Sequence, residues 1–399
     1  MSLLRIRNVS RIASALVWVI AAFTVVTTVW GTISNYSSVP YWDQWEGFIL
    51  FYEQWLSQDV DKLALLFSQH NEHRIALPRL FFLLGCTFGS CDNRISIATI
   101  YTTQLMTVAL FCGFFLKAGG SRKECFGLVL PFLVIASYSW VQKENLTWGF
   151  QVQFVGVYFW SILSIFALAM INDSGSTLKQ IAAMFTCILA ASFATFSMAN
   201  GILVMPFLIL LAFFYKLSFR KHLLLFIVTI FLAITYFSDY VSVAGHSQPL
   251  EIIIEQPIQL FIYVCAYLGG LFSGGLFSVS NHEVALVFGG GYILIVILIA
   301  YQHVIGKRTL NYFQLALFAI VGFILLTSIV TGLGRVSFSI EQAFSSRYAT
   351  PLVIGWCALL LLLITGGRRS RLFGGVVGIF FLLQFAKIQS EFDYTDSSV

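Results

Sequence analysis

Hydrophobic runs close to twenty residues long recur along the chain, and no other property restricts its fold as strongly. About 20 apolar residues in a helix match a hydrocarbon core about 30 Å thick, where every backbone N–H and C=O must be satisfied within the chain. Runs at 11–33, 95–116, 125–141, 151–171, 179–197, 201–215, 222–238, 284–304, 311–333, 351–366 and 372–388 read as spanning helices. With 58% hydrophobic residues, 40 Phe and only 10% charged residues, an ordinary water-soluble domain is excluded. The expected fold class is all-α, a polytopic transmembrane helical bundle of about 11 spans, and residues 1–399 read as one integral membrane domain. Arg5, Arg7 and Arg11 precede the first run, which lacks an Ala-x-Ala cleavage site and reads as an uncleaved first helix.

Orientation follows from the basic residues. Clusters at Arg5/Arg7/Arg11, Lys117/Arg122/Lys123, Lys216/Arg220/Lys221, Lys307/Arg308 and Arg368/Arg369/Arg371 hold fourteen of the 23 Lys and Arg. All of them fall on the cytoplasmic side, with the N-terminus in and the C-terminus out, if the apolar stretches 76–90 and 257–279 do not cross. A helix over 76–90 would be only roughly 22 Å long. The 257–279 stretch carries Gly269-Gly270 and Gly274-Gly275, which permit a broken or re-entrant helix. A short tilted helix and a kinked full span are the alternatives for the two stretches.

On that topology the polar motifs collect outside: a first loop at 34–94, an outer loop with a possible re-entrant segment at 239–283, and a late outer loop at 334–350. No phosphate-binding glycine loop or dinucleotide fingerprint is present, and no nucleic-acid partner is implied. Residues 45–67 place aromatic and aliphatic side chains at helical spacings, as expected of one or two amphipathic juxtamembrane helices. Asp43, in Pro40-Tyr41-Trp42-Asp43-Gln44-Trp45, is the candidate catalytic carboxylate, with Glu46 beside it. Desolvation by the aromatic neighbours would favour basic character. A helix N-cap with Glu46 three residues on is the competing reading.

Gln69-His70-Asn71-Glu72-His73-Arg74 is a dense polar hexad. His70, Asn71, Glu72, His73 and Arg74 are candidate substrate contacts; if helical, His70 and His73 share a face and, with Glu72 or Asp43, make candidate ligands for a divalent metal ion. A structural polar network is the third reading. In the 140–154 stretch, Glu144, Trp148 and Gln151 are candidate carbohydrate contacts, because buried polar groups at membrane depth are costly and often functional. Asn200, in Ser197-Met198-Ala199-Asn200-Gly201, joins them. Arg335 and Arg347, the latter followed by Tyr348, are arginines on the side that the positive-inside tendency disfavours. A lipid phosphate suits their forked donors, and an ion pair with Glu341 is the alternative. Of seven cysteines only Cys86 and Cys91 lie close together near a boundary, and spacing alone does not make them a disulfide.

A cytoplasmic N-terminus, an acidic residue just beyond the first helix, amphipathic juxtamembrane segments and a multi-span body together resemble the GT-C superfamily of integral membrane glycosyltransferases. The resemblance covers mainly residues 1–240. It implies a sugar taken from a polyprenyl-phosphate carrier at the outer face of a bacterial inner membrane and passed to a glycan or lipid acceptor, with Asp43 as the loop carboxylate. The N-in, C-out plan and the re-entrant segment are similar to those of serotype-converting O-antigen glucosyltransferases. The chain departs from many GT-C enzymes in having no large C-terminal soluble domain. Two other classes compete: an O-antigen or capsule polymerase or ligase, which favours a larger late outer loop, and a lipid-linked sugar flippase or transporter, which favours ionisable residues at mid-membrane.

Overall fold

The computed structural model describes residues 2–242, 249–276, 282–306 and 309–391, with side chains from residue 11 onward. Ten of its helices are long and apolar enough to cross a membrane, from Arg11–Ser34 to Arg368–Glu391. The chain is therefore a polytopic helical bundle suited to a lipid bilayer. Ser346–Ile364 runs through its middle, 89% buried along its apolar window, whereas Phe219–Phe237 is 17% buried and turns Phe226, Phe231 and Ile234 outward. The described residues contain one strand pair, Gln69–His70 with His73–Arg74.

Side-chain contacts sort the helix ends into two groups. At one end Lys117 pairs with Asp173, Asn172 donates to the Tyr215 carbonyl at 2.7 Å, Tyr215 donates to the Tyr312 carbonyl at 2.8 Å, and Asn311 donates to the Ala118 carbonyl at 3.1 Å. Trp18 reaches the Phe126 carbonyl and Arg371 the Ile364 carbonyl near the same end. The described basic clusters around 117–123, 216–221 and 368–371 thus share one end of the bundle, and Lys307/Arg308 lie outside the described residues. The other end gathers the polar motifs of the 34–94 and 334–350 loops.

Three segments depart from plain spans. The run expected at 201–215 becomes the shorter Ala199–Phe214, a 3-10 turn over Ala199–Leu203 followed by Val204–Phe214. It joins the two ends over roughly 26 Å, less than the roughly 30 Å apolar core, so its polar start at Asn200 dips toward that core. Ala76–Phe88 starts with the Leu77 amide on the Phe196 carbonyl and ends at a disulfide between Cys86 and Cys91, just before Arg94–Lys117 leaves for the opposite end. Pro249–Glu255 and Pro257–Leu268 meet at 105°, a break before Pro257 that adds to the one at Gly269, where the helix stops and a 3-10 turn over Gly270–Phe272 begins. A Cβ on Gly270 would lie 3.2 Å from Leu352, and His282 stacks on Phe344, so this segment enters and leaves at the polar end.

Candidate functional site

A cavity of about 520 Å³ opens at the polar end of the bundle. Asp43, His70, Asn71, Glu72, His73, Asn200, Arg335, Arg347 and Tyr348 all line it, although they come from four separate stretches of sequence. Gln153, Tyr240 and Thr331 complete its polar wall.

Asp43 is carried by the turn that starts the helical segment Trp45–Leu56, whose first part is π-helical. Its side chain is exposed, so the expected desolvation by aromatic neighbours is not found. Asp43 does stand immediately before the first helical residue, Gln44, and its carbonyl accepts the Gly47 amide at 2.8 Å, but its carboxylate makes no capping hydrogen bond. What holds the turn is a network that sequence reasoning did not single out. Gln44 is buried; its Oε1 accepts from the Trp148 indole at 2.7 Å and from the Tyr41 amide at 3.1 Å, and its Nε2 donates to Asn93. Asn93 in turn donates to the Ser37 carbonyl at 3.2 Å. Trp42, immediately before Asp43, has φ 45°. A bulky residue in that region is strained and persists only when its surroundings over-determine it.

The hexad folds as a β-hairpin and not as a helix. Asn71 takes φ 48° at the turn, a conformation that Asn tolerates well. Because His70 pairs directly with His73, both still face the same side of the ladder. His73 Nδ1 accepts the Ala199 amide at 3.3 Å, which leaves Nε2 as the protonated nitrogen, 3.7 Å from Glu72. Glu72 also receives Arg335 at 2.9 Å. His70 sits edge-on to Phe150, and burial holds its imidazole below the ordinary value, with Asp43 pulling weakly the other way. Gly47 makes this packing possible: a Cβ there would lie 2.6 Å from the Phe150 ring and 3.1 Å from His70 Cε1.

Five expected site residues stand behind the cavity or off it. Arg74 is buried, and its guanidinium donates to the carbonyls of Phe67, Tyr236 and Ser238; it anchors the hairpin instead of contacting a ligand. Glu144 accepts the Arg347 amide at 3.1 Å and pairs with its Nε at 3.3 Å, so it aims Arg347. Trp148 and Gln151 are buried, the first supporting Gln44 and the second donating to Glu144 at 3.3 Å. Glu46 is exposed and lies outside the cavity wall. The partners of Arg335 and Arg347 are thus Glu72 and Glu144; Glu341, suggested by proximity in sequence, is fully exposed near Ser339. Among the described residues no group of three or more His, Cys, Asp or Glu is arranged to hold a metal ion. Arg335 already engages Glu72 and the Ala199 amide engages His73, which breaks up the proposed Asp43, His70, Glu72, His73 set.

Compared with known protein families, characterised proteins and solved structures, the chain matches none.

Proposed function

We propose that the chain is a membrane glycosyltransferase that moves a sugar from a polyprenyl-phosphate carrier to a surface glycan or lipid acceptor at the extracytoplasmic face. The observation that carries this reading is one cavity at the polar end of the bundle, walled by an accessible carboxylate from the first loop and by two arginines from the late 334–350 loop. Asp43 takes the proton of the acceptor hydroxyl as its oxygen attacks the anomeric carbon. The bond from that carbon to the phosphate oxygen breaks, and its electron pair leaves on the lipid phosphate. Arg335 and Arg347 stabilise the departing charge, the electrostatic contribution expected to be largest in such a step. Glu72 and Glu144 keep the arginines extended into the cavity without neutralising all of their donors.

Two independent features support the outward placement of the cavity. The described basic clusters lie at the opposite end, as cytoplasmic loops do, and the Cys86–Cys91 disulfide lies at the cavity end, where an oxidising compartment would preserve it. The Glu72–Arg335 and Glu144–Arg347 pairs make a transporter the weaker reading, because ionisable groups concentrate at one face. In lipid nanodiscs, Arg347→Ala should lower turnover of a polyprenyl-phosphate hexose by roughly 100-fold while leaving the melting temperature nearly unchanged. Wild-type turnover in a correctly inserted Arg347→Ala protein would remove the phosphate-stabilising role.

A further inference from the structure

Away from the polar cavity, the first and last spanning helices part as they run toward the basic end. Nearer the polar end they are clasped, with Gln389 donating to the Thr27 hydroxyl at 2.8 Å and to the Thr28 hydroxyl at 3.0 Å. On the basic side of that clasp a cavity of about 340 Å³ opens between them, backed by Val129, Phe132 and Leu361 from the helices Arg122–Thr147 and Ser346–Ile364. Leu128 and Ile379 line it and are also exposed, so it opens sideways onto the outer surface of the bundle. Part of its wall is bare backbone: a Cβ on Gly375 or Gly378 would meet nothing within 4 Å. On the last helix the lining runs from Arg371 to Leu382, a rise of roughly 17 Å. That is close to one leaflet of an apolar core roughly 30 Å thick.

The slot is apolar along its length and cationic at its mouth. Arg371 donates from Nε to the Ile364 carbonyl at 3.0 Å, and its two terminal nitrogens make no hydrogen bond to a described residue. Arg368 and Arg369 next to it, and Arg122 and Lys123 next to the lining residue Glu124, are exposed and form no ion pair among the described residues. The Glu124 carboxylate is already engaged, accepting from the Ser121 hydroxyl at 2.8 Å and the Ser121 amide at 3.3 Å. An unfilled apolar slot leaves its lining without contact partners, which a lipid chain supplies. A basic pocket between spanning helices recruits an anionic head group, whereas the ammonium of a zwitterionic lipid would meet the same cations. We infer that the slot holds one anionic phospholipid from the leaflet at the basic end, with an acyl chain laid along Gly375 and Gly378 and the phosphate on Arg371 and its basic neighbours. The lipid ties the last helix to the first where their own contacts stop. This site is independent of the reaction proposed at the polar end.

The test titrates the full chain, delipidated in dodecyl maltoside, with dioleoyl phosphatidylglycerol, dioleoyl phosphatidylcholine or glycerol 3-phosphate, and counts bound copies by native mass spectrometry. Wild type should retain one phosphatidylglycerol, at a midpoint about tenfold below that of phosphatidylcholine. Its melting temperature should rise with phosphatidylglycerol, and glycerol 3-phosphate should not bind over the same range. Gly378→Leu puts a side chain in the slot and favours the helix. It should raise both lipid midpoints about tenfold while melting, without lipid, close to wild type. Gly375→Leu serves in its place if Gly378→Leu fails to insert. Arg371→Gln should bring the phosphatidylglycerol midpoint to within about threefold of that for phosphatidylcholine and leave the latter unchanged. Equal midpoints for the two lipids in wild type, or a phosphatidylglycerol midpoint that the glycine variants do not move, would overturn the site. Glycerol 3-phosphate bound as tightly as the lipid would overturn the role of the chain. A dimer that Gly378→Leu breaks, with no lipid retained, would overturn the site by giving the slot to a second copy.

Discussion

The two ends of this bundle solve the problem of finishing a helix in different ways. The basic end closes two helices with local capping boxes, Ser121/Glu124 and Asn311/Gln314, and joins them by longer reaches such as Asn311 to the Ala118 carbonyl. The cavity end uses partners far apart in sequence, Arg335 with Glu72 across 263 positions and the Arg347 amide with Glu144 across 203. It also accepts conformations that the basic end mostly avoids. Of the five described non-glycine residues with positive φ, four (Trp42, Asn71, Cys91 and Asp239) belong to its loops, and only Lys216 is at the basic end. Add His70 Nε2 and Gln153 Oε1, buried there without a hydrogen-bond partner, and the cavity end is the one where stability has been traded for geometry.

That contrast can be broken from either side. The largest stability effect is expected at the cavity end, where replacing Cys86 and Cys91 by Ser removes a cross-link with a sequence separation of 5. Loss of so short a loop closure should cost about 2 kcal/mol and slacken Asn93, which clamps the Asp43 turn through Gln44. Chemical denaturation with and without reductant measures it. A smaller effect should appear with pH. Because burial depresses the His70 value in the folded chain, the unfolded chain takes up its proton first. The stability carried by neutral His70 is therefore complete above about pH 6.5 and is lost as pH falls through the folded-state value. Thermal unfolding of His70→Asn should show a flatter pH dependence than wild type between about pH 7.5 and 5; identical slopes would mean that another group sets it. The smallest effect belongs to the basic end. Lys117→Ala, which removes a partly exposed ion pair, should cost about 0.5 kcal/mol or less in the same denaturation series.

Much of the architecture is legible in the sequence because the bilayer imposes it. Apolar runs of the right length mark ten long helices, and the placement of Lys and Arg anticipates which ends lie together. The cavity is legible for the same reason: polar motifs that cannot sit in lipid must collect at an end, so nine expected residues line one cavity. Pairing is what the sequence conceals. Glu341 sits six positions from both Arg335 and Arg347 in sequence, yet the folded chain gives both arginines carboxylates from other loops. Arg74 reads as a ligand contact until its guanidinium is seen filled by three backbone carbonyls. A six-residue hexad is too short for periodicity to separate a hairpin from a helical turn. The Gln44–Asn93–Trp148 clamp joins three residues with no local signature at all.

The most direct measurement compares, by mass, the surface glycans and lipid-linked intermediates of a deletion strain complemented with wild type or with Asp43→Asn, at equal membrane expression. A base at Asp43 predicts that wild type restores one hexose-sized increment and Asp43→Asn does not, while the lipid-linked donor accumulates. Full restoration by Asp43→Asn would contradict it, and unchanged glycans with altered lipid sidedness would point to a transporter in place of a transferase.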